Sequence, residues 1–208
     1  NYGITIDKDL TFSSTGEGAD PVIDLSTSLS SQLFTIDSTC TVSISNLNVI
    51  NGSADGGTIW NNGTLTAMSC TFSNNNSEST GGAIFNNGTL TVISCVFSGN
   101  SCNSNGGAIF NNDPGIFSIS DCIFIGNSST GGAIFSQTST STNYILNSTF
   151  SNNTVGTSGA GGAIFNANIG QIDVTGCTFI ENSAATNAGG AFYNSSSCNL
   201  NITGCRFS

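Results

Sequence analysis

Gly56-Gly57-Thr58-Ile59-Trp60 returns as Gly81-Gly82-Ala83-Ile84-Phe85, as the same GGAIF from Gly106, Gly131 and Gly161, and last as Gly189-Gly190-Ala191-Phe192-Tyr193. The copies begin 25, 25, 25, 30 and 28 residues apart. Self-similarity at such a period means a stack of like units, none of which can bury its apolar face alone. A second motif follows each copy: Cys70-Thr71-Phe72, Cys95-Val96-Phe97, Cys122-Ile123-Phe124, Ser148-Thr149-Phe150, Cys177-Thr178-Phe179 and Cys205-Arg206-Phe207. Three places after the first five of these Phe stands an Asn, at Asn75, Asn100, Asn127, Asn153 and Asn182, giving the pattern FxxN. A degenerate copy, Leu47-Asn48-Val49, precedes them.

Between the motifs lie short alternating segments such as Leu90-Thr91-Val92, Phe117-Ser118-Ile119 and Ile172-Asp173-Val174. Alternation of period two in Val, Ile, Thr and Phe reads as strand, and no segment holds a helical period over a useful length. Three short strands in each 25–30 residues is the arithmetic of one coil of a right-handed parallel β-helix, a single-stranded all-β solenoid. The Gly pair lets the chain turn sharply, and the variable Ser/Asn/Thr/Gly stretch between FxxN and the pair is expected to be loop. Residues 1 to about 40 carry short strand patterns without the motifs and read as irregular first coils, so that 1–208 forms one domain, with the motif coils over 41–208.

Equivalent strands of successive coils should pair about 4.8 Å apart, turning columns of like residues into ladders. Cys70, Cys95, Cys122, Cys177 and Cys205, with Ser148 among them, would form one ladder, and Phe72, Phe97, Phe124, Phe150, Phe179 and Phe207 another. Two residues apart, they share a face, read here as core. The column Trp60, Phe85, Phe110, Phe135, Phe165 and Tyr193 lies between an Ile column and an Asn column that face the other way. Two arrangements stay open. With the Asn column inside a turn, the Ile are core and the aromatics form an exposed contact stripe; in the reverse arrangement the aromatics are core.

Lys8 and Arg206 are the only basic residues, and the net charge is −10. Nucleic acid and anionic membrane both need a Lys/Arg patch, so neither is an expected partner. No apolar run is long enough to span a bilayer, so direct membrane insertion is not expected. Nine Asn-x-Ser/Thr sequons, at Asn51, Asn62, Asn75, Asn87, Asn127, Asn147, Asn152, Asn194 and Asn201, are candidate N-glycosylation sites in a secreted chain. The start at Asn1, without an apolar signal segment, reads as a processed or trimmed chain.

GGA-[ILV] paired with FxxN resembles the chlamydial polymorphic outer membrane protein repeat, and the run from Ile44 to Thr66 also resembles adhesin-like β-helix surface proteins of methanogenic archaea and other microbes. The resemblance covers about residues 40–208. It implies a secreted or surface-displayed passenger used in adhesion or envelope architecture. These residues hold no counterpart of the C-terminal membrane β-barrel of the chlamydial proteins.

No catalytic, metal or cofactor site is expected. Glycoside hydrolysis needs paired carboxylates, and polyuronate cleavage resembling pectate lyase wants Ca²⁺-binding Asp with a Lys or Arg base. Asp121, Asp173 and Glu181 are spread along the second half. Asp7, Asp9, Glu17, Asp20, Asp24 and Asp37 match no Ca²⁺-loop pattern and read as a solvated acidic rim. The eight Cys suggest disulfides, but laddered side chains point the same way, so buried free thiols with at most one pair are expected. Cys40, Cys102 and Cys198 lie outside the ladder.

The function expected is therefore a non-catalytic extracellular or cell-surface structural or adhesin protein, binding a surface ligand or itself. Because Phe207-Ser208 ends inside the second motif, either a longer natural chain or end-to-end filament assembly is expected. The first alternative is an ice-binding solenoid with rows of outward Thr, and the second is a carbohydrate-active β-helix enzyme. Thr64/Thr66 and Thr89/Thr91 begin such a row, which then becomes Ile116/Ser118, Thr142/Tyr144, Gln171/Asp173 and Asn199/Asn201.

Overall fold

The computed structural model describes residues 3–14, 19–27, 32–139, 141–156, 159–185, 189–195 and 197–208. Among these there is no helix, and every strand pairing is parallel. Three sheets of eight strands each form the walls of a β-solenoid. The first runs from Ile4–Ile6 and Phe34–Ile36 through Ile59–Asn61, Ile84–Asn86, Ile109–Asn111, Ile134–Ser136 and Ile164–Asn166 to Phe192–Asn194. The second runs from Leu10–Ser13 to Asn199–Thr203 and contains Thr64–Met68, Thr89–Ile93, Ile116–Ser120 and Thr142–Leu146. The third runs from Val22–Asp24 to Arg206–Phe207 and contains Thr71–Ser73, Val96–Ser98 and Ile123–Ile125. Residues before 40 supply strands to these same sheets, Ile4–Ile6 pairing with Phe34–Ile36 and Val22–Asp24 with Asn48–Ile50.

Pairing is in register, so Ile84 faces Ile59 and Ile109, and Phe97 faces Phe72 and Phe124. Inward side chains of the three sheets make one continuous core of Ile, Leu, Val, Phe, Ala and Cys. Neighbouring rings of the core Phe ladder are stacked, with centroids 5.0, 4.8, 4.7, 5.0 and 5.1 Å apart from Phe72 through to Phe207.

The corner between the second and third sheets is a single left-handed residue in every motif coil: Ser69, Ser94, Asp121, Asn147, Gly176 and Gly204, with φ between 47° and 66°. The corner after the third sheet repeats the device at Asn74, Gly99, Gly126, Asn152 and Glu181. Asn, Asp and Gly tolerate this region best, which is why the corners are rich in them.

The stretch expected to be all loop holds a further, narrow sheet of five strands: Asn76–Ser77, Ser101–Cys102, Ser128–Ser129, Thr154–Val155 and Ser183–Ala184. The FxxN Asn fixes the chain at one place in each coil, so the next residues are in register too: Ser101 N–H donates to Asn75 O at 2.9 Å and Ser128 N–H to Asn100 O at 2.9 Å. The Gly pair has a second reason besides turning. A Cβ on Gly82 would lie 2.2 Å from Gly107 O and 2.6 Å from Ser101 O, so only Gly lets these backbones stack so closely.

Candidate functional site

The Asn of FxxN is wholly buried in Asn75, Asn100, Asn127 and Asn153. Its amide is a clasp between coils. Asn100 Nδ2 donates to Asn127 Oδ1 at 3.0 Å and to Phe72 O at 3.0 Å, and Asn100 N–H donates to that same Oδ1 at 3.0 Å. Asn75, Asn127 and Asn153 repeat the pattern, so each amide holds the backbone of the coil on either side. Buried amides are costly unless satisfied, and these are satisfied by each other and by strand-end carbonyls.

A second amide ladder closes the corner after the first sheet. Asn61 Nδ2 donates to Asn86 Oδ1 at 2.7 Å, Asn86 Nδ2 to Asn111 Oδ1 at 2.6 Å, and Asn166 Nδ2 to Asn194 Oδ1 at 2.8 Å. Ser136 interrupts it. The missing amide is replaced from the second sheet by Asn143, which stands among the apolar residues Phe117 and Ile172 in register. Asn143 Oδ1 accepts from Phe117 N–H at 2.7 Å and its Nδ2 donates to Thr138 Oγ1 at 3.2 Å. The Oδ1 atoms of Asn61 and Asn166, the first members of the two ladder segments, are buried without a partner. The double change Ser136→Asn with Asn143→Leu should supply a donor to Asn166 Oδ1 but take the acceptor from Phe117 N–H; the two effects, each about 1–3 kcal/mol, oppose one another, so the net change should be small. Urea unfolding of the double variant checks this; a loss of stability would show that the Ser136/Asn143 exchange is the better solution.

The Cys ladder is polar at its edge. Cys95 Sγ donates to Ile93 O at 3.3 Å and receives Cys70 N–H at 3.3 Å, while Ser148, its substitute, donates to Leu146 O at 2.8 Å. A small group able to donate and accept is what this position selects, and Cys and Ser both qualify. All eight Cys are free, those at 40, 70, 95, 102, 122 and 177 buried and Cys198 and Cys205 half-buried.

The Chlamydia polymorphic membrane protein repeat matches the chain four times, over residues 69–87, 94–112, 121–137 and 147–167. Each match begins on the left-handed corner residue before Cys/Ser-x-Phe and ends just past GGAIF, so one match spans both ladders and the stacked glycines. The chain is a polymorphic membrane protein-like β-helix. No curated protein and no solved structure matches it. The repeat family is one of surface and outer-membrane, adhesin-like proteins.

The aromatic column of this Pmp-like helix is neither core nor exposed stripe. Ile59, Ile84, Ile109, Ile134 and Ile164 are in the core, and the rings lie on the outer side of the first sheet. There Phe85, Phe110 and Phe135 are only 9, 5 and 5% exposed, as a second small apolar cluster with Trp60 and Phe165. The contact stripe is thus corrected: only Tyr193, at 38%, is open. The chain entering the Gly pair roofs the rings, a Cβ on Gly56 falling 2.4 Å from the Trp60 ring and one on Gly131 falling 2.8 Å from that of Phe135. Beside this roof runs an amide ladder that the sequence reading missed. Asn87 donates to Asn62 Oδ1 at 2.9 Å and Asn112 to Asn87 Oδ1 at 2.8 Å, and Gln137 donates to Asn112. The doubled Asn after GGTIW in Asn61-Asn62 and after GGAIF in Asn86-Asn87 and Asn111-Asn112 was its signal.

The Pmp-like fold also sorts the sequons. Asn75 and Asn127 are corrected as glycan sites, because both are sealed and both donate their amides within the FxxN ladder. Asn194 accepts from Asn166 and donates to Cys198 O, and Asn62 and Asn87 serve the outer ladder. Asn51 donates to Asp24, and Asn201 to Asp173. Asn147 and Asn152 are exposed corner residues.

Among the described residues no group of three or more His, Cys, Asp or Glu is placed to hold a metal ion, and no helix is long and apolar enough to cross a membrane. Asp9 accepts Thr41 N–H at 2.7 Å. The Asn51 amide and Ser26 N–H hold the Asp24 carboxyl below its usual range. Glu17 lies outside the described residues.

Burial pushes the Cys102 and Cys177 thiols up to about 11. A thiol whose folded value is raised contributes fully below its unfolded value and loses that contribution as pH rises through the folded one. The contribution of these two thiols to stability should thus be flat up to about pH 9 and fall from there towards pH 11. At neutral pH an alkylating reagent should modify Cys198 and Cys205 in the native protein and the other Cys only on unfolding. Native labelling of Cys95 or Cys122, read by mass spectrometry, would contradict the buried ladder.

Proposed function

We propose that this chain is a non-catalytic, surface-displayed adhesin-type rod, in which the repeat motifs build the solenoid and the outward, coil-specific residues make the contacts. The observation that carries the reading is the burial of the motifs. The Asn and Phe of FxxN and the Ala and Ile of GGAIF in the matched repeats are consumed by contacts between coils, leaving them no surface with which to touch a partner. Binding then falls to side chains that alternate outward. The family's surface, adhesin-like character supports the placement at the cell surface.

A non-enzymatic role is supported by the scatter of carboxylates over different columns. Asp121 occupies a corner after the second sheet, Glu181 the corner after the third, and Asp173 the middle of a strand paired with Tyr144 and Asn201. Retaining or inverting glycoside cleavage needs two carboxyls facing one bond. An ice-binding face gains no support, since Thr64 and Thr89 are followed in register by Ile116.

Beads coated with the protein, presented to a panel of cell types, test the reading. Retention above uncoated beads is expected, and it should survive removal of metal ions by chelation. Equal retention of coated and bare beads across the panel would remove the adhesive reading, and turnover of a polysaccharide panel would remove the non-catalytic one. Self-association, laterally or by coil stacking, is the other class of partner; sedimentation as a monomer at high concentration would exclude it.

A further inference from the structure

The corner between the second and third sheets carries an outward surface for which folding gives no reason. Alternation places Val92 and Phe97 in the core and turns Ile93 and Val96 away from it. In neighbouring coils Met68, Ile123, Tyr144 and Leu146 also point outward, 39, 44, 45 and 36% exposed. Register joins them: Met68 is beside Ile93, Val96 beside Ile123, and Leu146 beside Ser120 at the end of the strand that turns into Ile123. Elsewhere the same outward columns hold Ser45, Thr71, Thr149 and Thr175. Other apolar side chains, such as Ile169, also stand open elsewhere, but on this corner they cluster, with Ser120 between Ile93 and Leu146, and a clustered exposed apolar patch marks a contact surface.

Asp121 projects from the left-handed corner in the middle of this patch and is itself exposed. The corresponding corners before and after it are the uncharged Ser94 and Asn147. With a net charge of −10 and only Lys8 and Arg206 to oppose it, a second copy of this chain would bring like charges together. Asp173 stands beside Tyr144 in register and adds a second carboxylate at the rim, so the complement of this strip is an apolar strip that carries cations. We propose that this corner docks a cationic amphipathic segment of a partner protein, whose apolar face covers Ile93, Ile123, Tyr144 and Leu146 and whose Lys or Arg meets Asp121. This rests on the adhesin-type reading and names the chemistry of its partner.

The test uses the whole chain and a short, fluorescent Leu/Lys amphipathic peptide, with Leu/Glu and Ser/Lys peptides of equal length. Only the Leu/Lys peptide should bind tightly at physiological salt. Ile123→Ser and Leu146→Ser, both at exposed positions, should each weaken it about tenfold, and Asp121→Asn should weaken it and flatten its salt dependence. Ile169→Ser, 55% exposed and outside the patch, is the control and should bind as the parent does. Equal affinity in the patch variants and the control would overturn the proposal. So would tighter binding to uncharged phosphatidylcholine vesicles than to the peptide, or a parent dimer that the patch variants dissociate. Coated beads keep the two readings apart. Cells retained equally by parent and patch variants would sink the patch alone, whereas no retention by any protein would sink the adhesin reading and leave the peptide result to decide the patch.

Discussion

Asn127→Leu is expected to lower the unfolding free energy by about 3 kcal/mol or more, although it places an apolar side chain of similar size in a wholly buried site. The loss follows from what is stranded. Asn100 N–H, one Asn100 Nδ2 hydrogen and Phe97 O all lose their partner, and each buried orphan costs about 1–3 kcal/mol. Asn152→Ala, on an exposed corner, removes no such clasp and should cost much less. Urea denaturation compares the pair. Because each coil of a solenoid touches only its neighbours, a cut at Asn127 should also loosen the coupling between the halves and broaden the transition. A loss no greater than that of Asn152→Ala would show that the ladder is ornamental to stability.

Phe124→Ala is expected to cost about 3–5 kcal/mol from lost transfer energy and the cavity left behind. Its ring stacks at 4.8 Å on Phe97 and 4.7 Å on Phe150, so two aromatic contacts go with it. Phe124→Leu keeps most of the volume and should cost about 1.5 kcal/mol or less if the site repacks. Phe110→Ala offers the contrast, since its ring lies in the roofed outer cluster where loops can settle or water can enter, and its cost should be smaller. Equal losses for Phe124→Ala and Phe110→Ala in chemical denaturation would mean that the outer cluster is as rigid as the core.

The stacking of coils was legible because a ladder is written along the sequence: Cys70 and Cys95, or Phe72 and Phe97, recur at the spacing of one coil, and pairing brings them side by side. Which way the first sheet faces was not. Period two separates Ile84 from Phe85 but both are apolar, so hydropathy cannot say which is inside. The decision lies with Asn86, whose amide finds partners only within the corner, and with the path of the variable segment that roofs Phe85. That segment follows no period, and its two-residue strands, such as Ser101–Cys102, are too short to alternate. The sequons misled for a related reason. A sequon is read over three residues, whereas the bonds that seal Asn127 reach residues 26 to 30 positions away.

The amides of the two inner ladders share one sense. Nδ2 of each Asn donates to Oδ1 of the next coil, from Asn75 to Asn182 and from Asn61 to Asn111, and the backbone N–H bonds onto the FxxN Oδ1 atoms fix that sense. The outer ladder from Asn112 to Asn62 runs against them. Dipoles laid head to tail add, and hydrogen bonds in such chains polarise one another. The ladders thus give the solenoid axis a direction as well as a length, the amide N–H of each inner pair leading towards Asn182 and its Oδ1 partner lying one coil further on.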